Sequence, residues 1–282
     1  MTSDSTRAAC DSNRLQGPIA KLAALKSQCT GPVFNREIYL QTGAFVVTGA
    51  FPMNAVGPWL SSWSAFYQSR LNERKVNRFN PVTIDEEPPE DLKAMYRDSR
   101  LLDIAEQIFG PDIALFNFRF IIKDKYSRGP VFRHQDLPYH MGYMDRASFF
   151  VPLSRANASN GALSFVLGTH HFGYLGDAGE ILDAVLDPDW PILSPDLSPG
   201  DLVVMHSSLW HESGPHSQGE DRVMADICLQ PASDPSGIEI LRGDAATEYR
   251  IPAALRGKIF KRSRVSRLAE LQSQVDALAK SQ

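Results

Sequence analysis

All seven histidines of this 282-residue chain, His134, His140, His170, His171, His206, His211 and His216, fall between positions 134 and 216. Imidazole is a common ligand for transition metals, so this confinement directs attention to metal chemistry. His134-Gln135-Asp136 places a carboxylate two residues after a histidine. On a strand, residues two apart face the same side, so the two groups would project toward one point. The spacing alone is a weak signal. Its weight comes from the segment Gly200-Asp-Leu-Val-Val-Met-His206-Ser-Ser-Leu-Trp-His211-Glu-Ser213-Gly-Pro-His216, which supplies a further histidine. Two histidines and one carboxylate on one face of an octahedral metal leave three positions open, the donor set of non-haem iron(II) in oxygen chemistry. A 2-oxo acid would chelate two of those positions and dioxygen would take the third. The far carboxylate of such a co-substrate calls for a planar, permanently charged fork, which suits arginine better than lysine. Arg222 follows His211 by one strand's length, eleven residues.

These groups need a rigid frame. From Ile113 to Leu229 the chain is mostly short strand-like runs between turn residues: Ala114–Lys123, Ala147–Leu153, Ala162–Leu167, Leu202–His206 and Arg222–Leu229. Strands at this spacing predict a two-sheet sandwich or barrel, with nearby helices as its outer cover. Ahead of it stand a short helix around Pro18–Ser27 and a strand within Gly43–Gly49. A helix over Ala55–Arg74 carries Trp59, Trp63, Phe66 and Leu71 as core residues, followed by an acidic loop over Pro81–Pro89. A further helix over Glu90–Phe109 is stopped by Gly110-Pro111. Leu268, Leu271, Val275 and Leu278 form a 3-4-3 stripe that predicts a C-terminal helix over about 265–280. It is too short for a coiled coil and is expected to pack on its own domain, a homodimer contact being the alternative. No repeat or long linker divides the chain. One domain is expected, with a helical cover over about 18–110, a strand core over about 113–230 and the terminal helix.

Composition narrows the partners. A net charge of −4 leaves no basic excess to drive phosphate-backbone binding, so a nucleic-acid partner is not expected. Cys10, Cys29 and Cys228, odd in number and far apart, read as reduced thiols of a cytoplasmic protein. The polar N-terminal stretch lacks the apolar core of a signal peptide, and no apolar run approaches the length of a membrane span. A soluble monomer or homodimer acting on a small molecule is expected, without a membrane partner.

The region from about Gly43 to Leu229 resembles the phytanoyl-CoA dioxygenase family of iron(II)/2-oxoglutarate oxygenases. The matching pieces are Gly43-Ala-Phe-Val-Val-Thr-Gly, Ala105-Glu-Gln-Ile-Phe-Gly-Pro, His134-Gln-Asp136, Asn160-Gly-Ala-Leu-Ser-Phe-Val-Leu-Gly-Thr-His170, Gly200-Asp-Leu, Trp210-His211-Glu-Ser213-Gly-Pro and Arg222. They stand in family order with family-like spacing. The resemblance implies an α+β fold, mainly β, with a double-stranded β-helix (jelly-roll) core and helices packed on one sheet. It places Fe(II) on His134, Asp136 and His211, the distal carboxylate of 2-oxoglutarate on Arg222 and Ser213, and O2 as second co-substrate. Asn117, seventeen residues before His134, stands where relatives often hold the co-substrate with an amide, and Phe150 where they line the pocket with an aromatic ring.

Among competing ligands, His206 lies sixteen residues before Arg222 and leaves Ser213 without a role, so His211 is preferred. His170 and His171 read as hydrogen-bonded turn residues. His216 departs from the Asn that relatives often carry after Ser-Gly-Pro. Halogen-installing relatives have a small residue in place of the ligand carboxylate, so Asp136 points to oxidation begun at a C–H bond, hydroxylation foremost. Tyr139, His140 and Tyr143 are expected on the substrate side, with Arg119 and Arg133 as local positive charge. Two other readings stand beside this one. A cupin-type metal enzyme (an isomerase or a 2-oxoglutarate-independent dioxygenase) would use the same His/Asp/His site, and Arg222 with Ser213 speaks against it. A non-catalytic binding protein on the same fold is opposed by the intact ligand set.

Overall fold

Strand β4 (Ile113–Lys123) alternates Phe118, Phe120 and Ile122 with Asn117, Arg119, Ile121 and Lys123. The apolar set meets the helical cover: Phe120 lies 4.4 Å from the Trp63 ring, and Phe118 lies 5.1 Å from Tyr96 in a turn between two helices, centroid to centroid. Of the other set, Asn117, Arg119 and Ile121 line an internal cavity. A strand with one face under helices and the other turned to a polar interior is the seam between cover and site.

The computed structural model, which describes residues 12–70, 82–84, 88–143, 145–244, 247–251 and 264–280, arranges two sheets around this seam. Across the large sheet run β1 (Thr30–Gly31), β2 (Ala44–Val47), β9 (Leu202–His206), β6 (Ala147–Pro152), β11 (Arg222–Pro231), β4 and β12 (Glu239–Arg242), with β3 (Val82–Ile84) also paired to β4. The small sheet runs β5 (Val131–His134), β10 (His211–Ser213), β7 (Leu163–Val166), β8 (Ile192–Leu193). All these pairings are antiparallel except β1 with β2. Helices α1 (Ser12–Lys26), α2 (Arg36–Thr42), α3 (Met53–Arg70), α4 (Glu90–Lys93) and α5 (Ser99–Phe109) precede the core strands, and Trp59, Trp63 and Phe66 of α3 are buried as expected. The fold is the mainly β jelly roll with helices on one sheet that the sequence implied.

Several elements differ from the expected ones. The helix over Glu90–Phe109 is two helices, because Asp98 adopts an extended conformation and its carboxylate caps the Arg100 N–H, starting α5 anew. Within the expected loop Pro81–Pro89, Val82–Ile84 pairs with β4, as its β-branched residues favour. Strands β1, β5, β8, β10 and β12 have two to four residues each, too few to show a period of two. Leu71 and Cys10 lie outside the described residues. Helix α6 (Arg264–Lys280) forms where expected but does not pack on the domain among the described residues: Leu268, Leu271, Val275 and Leu278 are 45–65% exposed. No helix among the described residues is long and apolar enough to cross a membrane.

Fully buried Phe149 sits on the central strand β6, so Phe149→Ala should lower unfolding free energy by about 3–5 kcal/mol. Exposed Leu268→Ser should change it by less than about 0.5 kcal/mol. Urea unfolding of both variants checks the pair, and a large loss at Leu268 would show that α6 packs on the domain.

Candidate metal centre

His134 closes β5 and His211 opens β10, and the two residues face each other directly across an antiparallel pair. Their rings stand 4.3 Å apart. Nδ1 of His134 lies 2.7 Å from the Phe132 carbonyl and Nδ1 of His211 lies 3.0 Å from the Leu209 carbonyl. A carbonyl only accepts, so each Nδ1 carries the proton and donates, leaving the Nε2 lone pair for the site. Asp136 does not share a strand face with His134, contrary to the alternation argument. It stands beyond the strand in helical conformation (φ −78°, ψ −30°), and its N–H donates to the Ser207 carbonyl at 3.1 Å. The chain turns there, and this turn, not a period of two, brings Asp136 Oδ1 to 3.6 Å from both Nε2 atoms.

The three donor atoms lie within 4.8 Å of one another. Ligands about 2 Å from one ion and at right angles stand about 3 Å apart. Separations of 3.6 Å, too long for hydrogen bonds, therefore fit a shared ion. Burial would raise the Asp136 carboxyl, but His211, His134 and Arg119 outweigh it and hold the group well below the usual carboxylate range. Burial pushes His211 down to about 4, against the pull of Asp136, so its imidazole is neutral at physiological pH. Burial would lower the His134 pKa, but Asp136 outweighs it and raises it, and the three groups together offer one anionic oxygen and two imidazole nitrogens, a donor set that fits iron(II).

The cavity above these donors has a volume of about 510 Å³. Asn117, Phe150, Ser213 and Arg222 all line it, so every residue that the sequence assigned to the co-substrate faces the same space as His134, Asp136 and His211. A bulge helps: β4 carries an extra residue where Leu115 and Asn117 meet Leu229 and Cys228, and Phe116 and Asn117, though consecutive, both line the cavity. Arg222 is 1% exposed, and its Nη1 donates to the Gly161 carbonyl at 3.0 Å while its buried Nε has no partner. No carboxylate among the described residues pairs with it. Burial lowers its pKa to about 10, so it remains charged at neutral pH. A buried charge without a counterion costs several kcal/mol, which an incoming carboxylate would offset.

The fully buried Arg146 makes the contrast. It donates to Asp234 (2.8 Å), Ser236 (2.8 Å), Gln230 (2.6 Å) and the Met141 carbonyl. Its charge is matched within the fold. Arg119 lines the cavity but is also paired, Nε to Asp226 Oδ2 at 2.7 Å, and Asp226 holds its pKa above the ordinary value. Arg133 bridges Asp183 (2.7 Å) and Glu212 (3.0 Å) beside an adjoining cleft.

Tyr139 and His140 line the cavity, whereas Tyr143 does not. His206 stands outside the cluster: its Nδ1 lies 2.8 Å from Ser208 Oγ and its ring is 5.2 Å from His170. His170 and His171 place Nε2 on the Leu40 and Gln41 carbonyls at the end of α2. His216 is buried with Nε2 3.1 Å from the Glu220 carbonyl, in the turn after β10. Gln135 was not foreseen. Its side chain spans the Gly173 and Ser208 carbonyls (2.7 Å each) and the Leu175 N–H (3.1 Å), pinning two loops to the metal-bearing turn. No spacing in the sequence announces such contacts, because their partners are 38 to 73 residues away.

Residues 40–224 match the model of the family described as phytanoyl-CoA dioxygenase (PhyH). The chain belongs to the phytanoyl-CoA dioxygenase family. Solved structures share its fold. The epimerase SnoN from nogalamycin biosynthesis, in complex with Fe3+, alpha ketoglutarate and nogalamycin RO, is 20% identical with a TM-score of 0.59, over 82% of this chain and 95% of that one. EctD from S. alaskensis, with 2-oxoglutarate and 5-hydroxyectoine, is 21% identical with a TM-score of 0.62, over 80% and 87%. ThoJ, a non-heme monooxygenase, is 20% identical with a TM-score of 0.61, over 85% and 98%. The protein is an oxidoreductase of the 2-oxoglutarate-dependent non-haem iron class to which this family belongs, and His134, Asp136 and His211 could hold the metal.

Because Arg222 is buried without a counterion, Arg222→Met should stabilise the metal-free, ligand-free protein by about 1–2 kcal/mol while removing the stabilisation gained on adding 2-oxoglutarate. Thermal unfolding with and without the 2-oxo acid checks both halves.

Proposed function

We propose that the protein oxidises an unactivated C–H bond of a small organic molecule, hydroxylation foremost, while 2-oxoglutarate and O2 are converted to succinate and CO2. The observation that carries this reading is the buried, uncompensated Arg222 facing the same cavity as His134, Asp136 and His211. The distal carboxylate of a 2-oxo acid supplies the counterion that this charge lacks.

In this reading His134, Asp136 and His211 hold iron, which when bound supplies the redox chemistry for O2 activation and oxidative decarboxylation. Phe132 and Leu209 carbonyls fix the ring orientation of the two histidines. Asp136, held ionised, is the one anionic protein ligand, and its presence leaves no protein-vacated position for halide. Arg222 and the Ser213 hydroxyl receive the distal carboxylate, and Asn117 with Phe150 flank the body of the co-substrate.

Phe116, Phe132 and Tyr139 give the remaining wall an apolar, aromatic character that receives the substrate and excludes water. His140, pushed down to about 4 by burial, offers a neutral imidazole there, its ring 4.7 Å from Phe116. SnoN and EctD with their bound molecules support a small-molecule substrate. The buried free thiols Cys29 and Cys228 suit a reducing compartment such as the cytoplasm.

The test is an anaerobic titration of metal-free protein with Fe(II) and then 2-oxoglutarate. A visible charge-transfer band that requires both additions is expected in the wild type and absent in Asp136→Ala. Bound metal without a band in the wild type would replace this reading with the cupin-type one. Arg222→Ala should raise the half-saturating 2-oxoglutarate concentration by about 100-fold, as expected for a lost charge-assisted contact.

A further inference from the structure

Lys123 is 0% exposed, yet no carboxylate among the described residues pairs with it. It stands opposite Arg222 in the β4–β11 ladder. Its ammonium donates to the Ser213 carbonyl at 3.4 Å and to the Gly214 carbonyl. Its stem packs on Gly161, where φ is +91° and an added Cβ would stand 2.6 Å from Lys123 Cδ. The carbonyl of that same Gly161 accepts from Arg222 Nη1. Lysine and arginine thus converge on one small knot, Gly161 and Ser213-Gly214, at the co-substrate end of the cavity. Two buried cations side by side are unfavourable in the ligand-free protein, and a carboxylate arriving at Arg222 and Ser213 relieves both.

We propose that Lys123 is a positioning residue of the co-substrate carboxylate site, which fixes Ser213 and takes up a proton when 2-oxoglutarate binds. The proposal rests on the reading of Arg222 and Ser213 given above. In the ligand-free protein burial, and after it the Arg222 charge, lower the lysine to about 7. Of the elements packed on it, β11 presents Arg222, while the Gly161 turn and the end of β10 present carbonyls, with His211 and Glu212 further along β10. β3 (Val82–Ile84) has no titratable side chain, and the neighbouring Asp124 is engaged by the Tyr67 hydroxyl and by the Tyr126 and Ser127 N–H groups. The sign follows. Below about pH 7 the lysine already carries its proton and binding takes up none. Above it, each bound dianion must bring a proton to Lys123, so affinity falls as pH rises, by up to about tenfold per pH unit.

The experiment is calorimetric titration of 2-oxoglutarate into the zinc-loaded full chain, which binds without turning over. Titrations at pH 6 and pH 8, each in two buffers of different ionisation heat, count the protons. The wild type should take up close to one proton per 2-oxoglutarate at pH 8 and close to none at pH 6. Lys123→Met should take up none at either pH and lose the pH dependence of affinity. Lys123→Arg, which keeps its charge, should bind at pH 8 as tightly as the wild type does at pH 6. Binding by the wild type with no proton uptake at pH 8 overturns the proposal without recourse to a variant that has to fold. Unchanged uptake in Lys123→Met also overturns it. Absence of any 2-oxoglutarate binding by the wild type overturns the co-substrate reading itself, and this proposal with it.

Discussion

The antiparallel pairing of β5 with β10 is the constraint on which the site depends. It sets His134 opposite His211, and the backbone carbonyl two residues earlier in the chain, Phe132 on β5 and Leu209 in the turn before β10, orients each ring. A slip of one residue would turn one histidine to the other face of the sheet and leave Asp136 with a single nitrogen for company. The register is secured from both sides, because β10 is sandwiched between β5 and β7, with His211 level with Phe165 as well as His134. Phe165 is fully buried, so sliding β10 would pull the candidate site and the core apart together. Core packing and ligand placement are one requirement here.

A second constraint is the charge held between the sheets. Arg119, Arg146, Arg222 and Lys123 stand on or beside this inner face, but their partners divide them into two kinds. Arg146 and Arg119 meet carboxylates of the fold, and the first ties the Met141 segment to the Asp234–Ser236 turn. Arg222 and Lys123 meet only carbonyls. The matched charges build architecture, and the unmatched ones mark where a ligand's charge belongs. Polarity alone would not separate them, since all four line or adjoin the same inner face.

The long strands were readable because runs rich in apolar, β-branched and aromatic residues extend over several positions between turn residues, as in β4, β6, β9 and β11. The site-bearing strands were not, since His211-Glu212-Ser213 has no period to detect. They became visible only through chemistry: the His-x-Asp spacing and the distance from His211 to Arg222. Even there the physical account changed. Asp136 converges on the histidines through a turn after β5, so the spacing identified the right pair while the strand argument explained it wrongly. The stripe on α6 is the opposite case. Its 3-4-3 pattern identified a helix, but whether a helix packs depends on what stands beside it, and its apolar residues are exposed.

By itself the sequence determined the family, the jelly-roll class and the candidates His134, Asp136, His211, Ser213 and Arg222, because residue types and their spacing are local properties of the chain. Tertiary structure alone decided which buried charges are compensated. It also decided that Asp136 reaches the histidines through a turn, that Gln135 pins distant loops to that turn, and that Lys123 lies across from Arg222. Each is a relation between segments far apart in sequence. Electrostatics at such distances in space depends on where the backbone places the groups and how much water it removes, and neither is written in residue order.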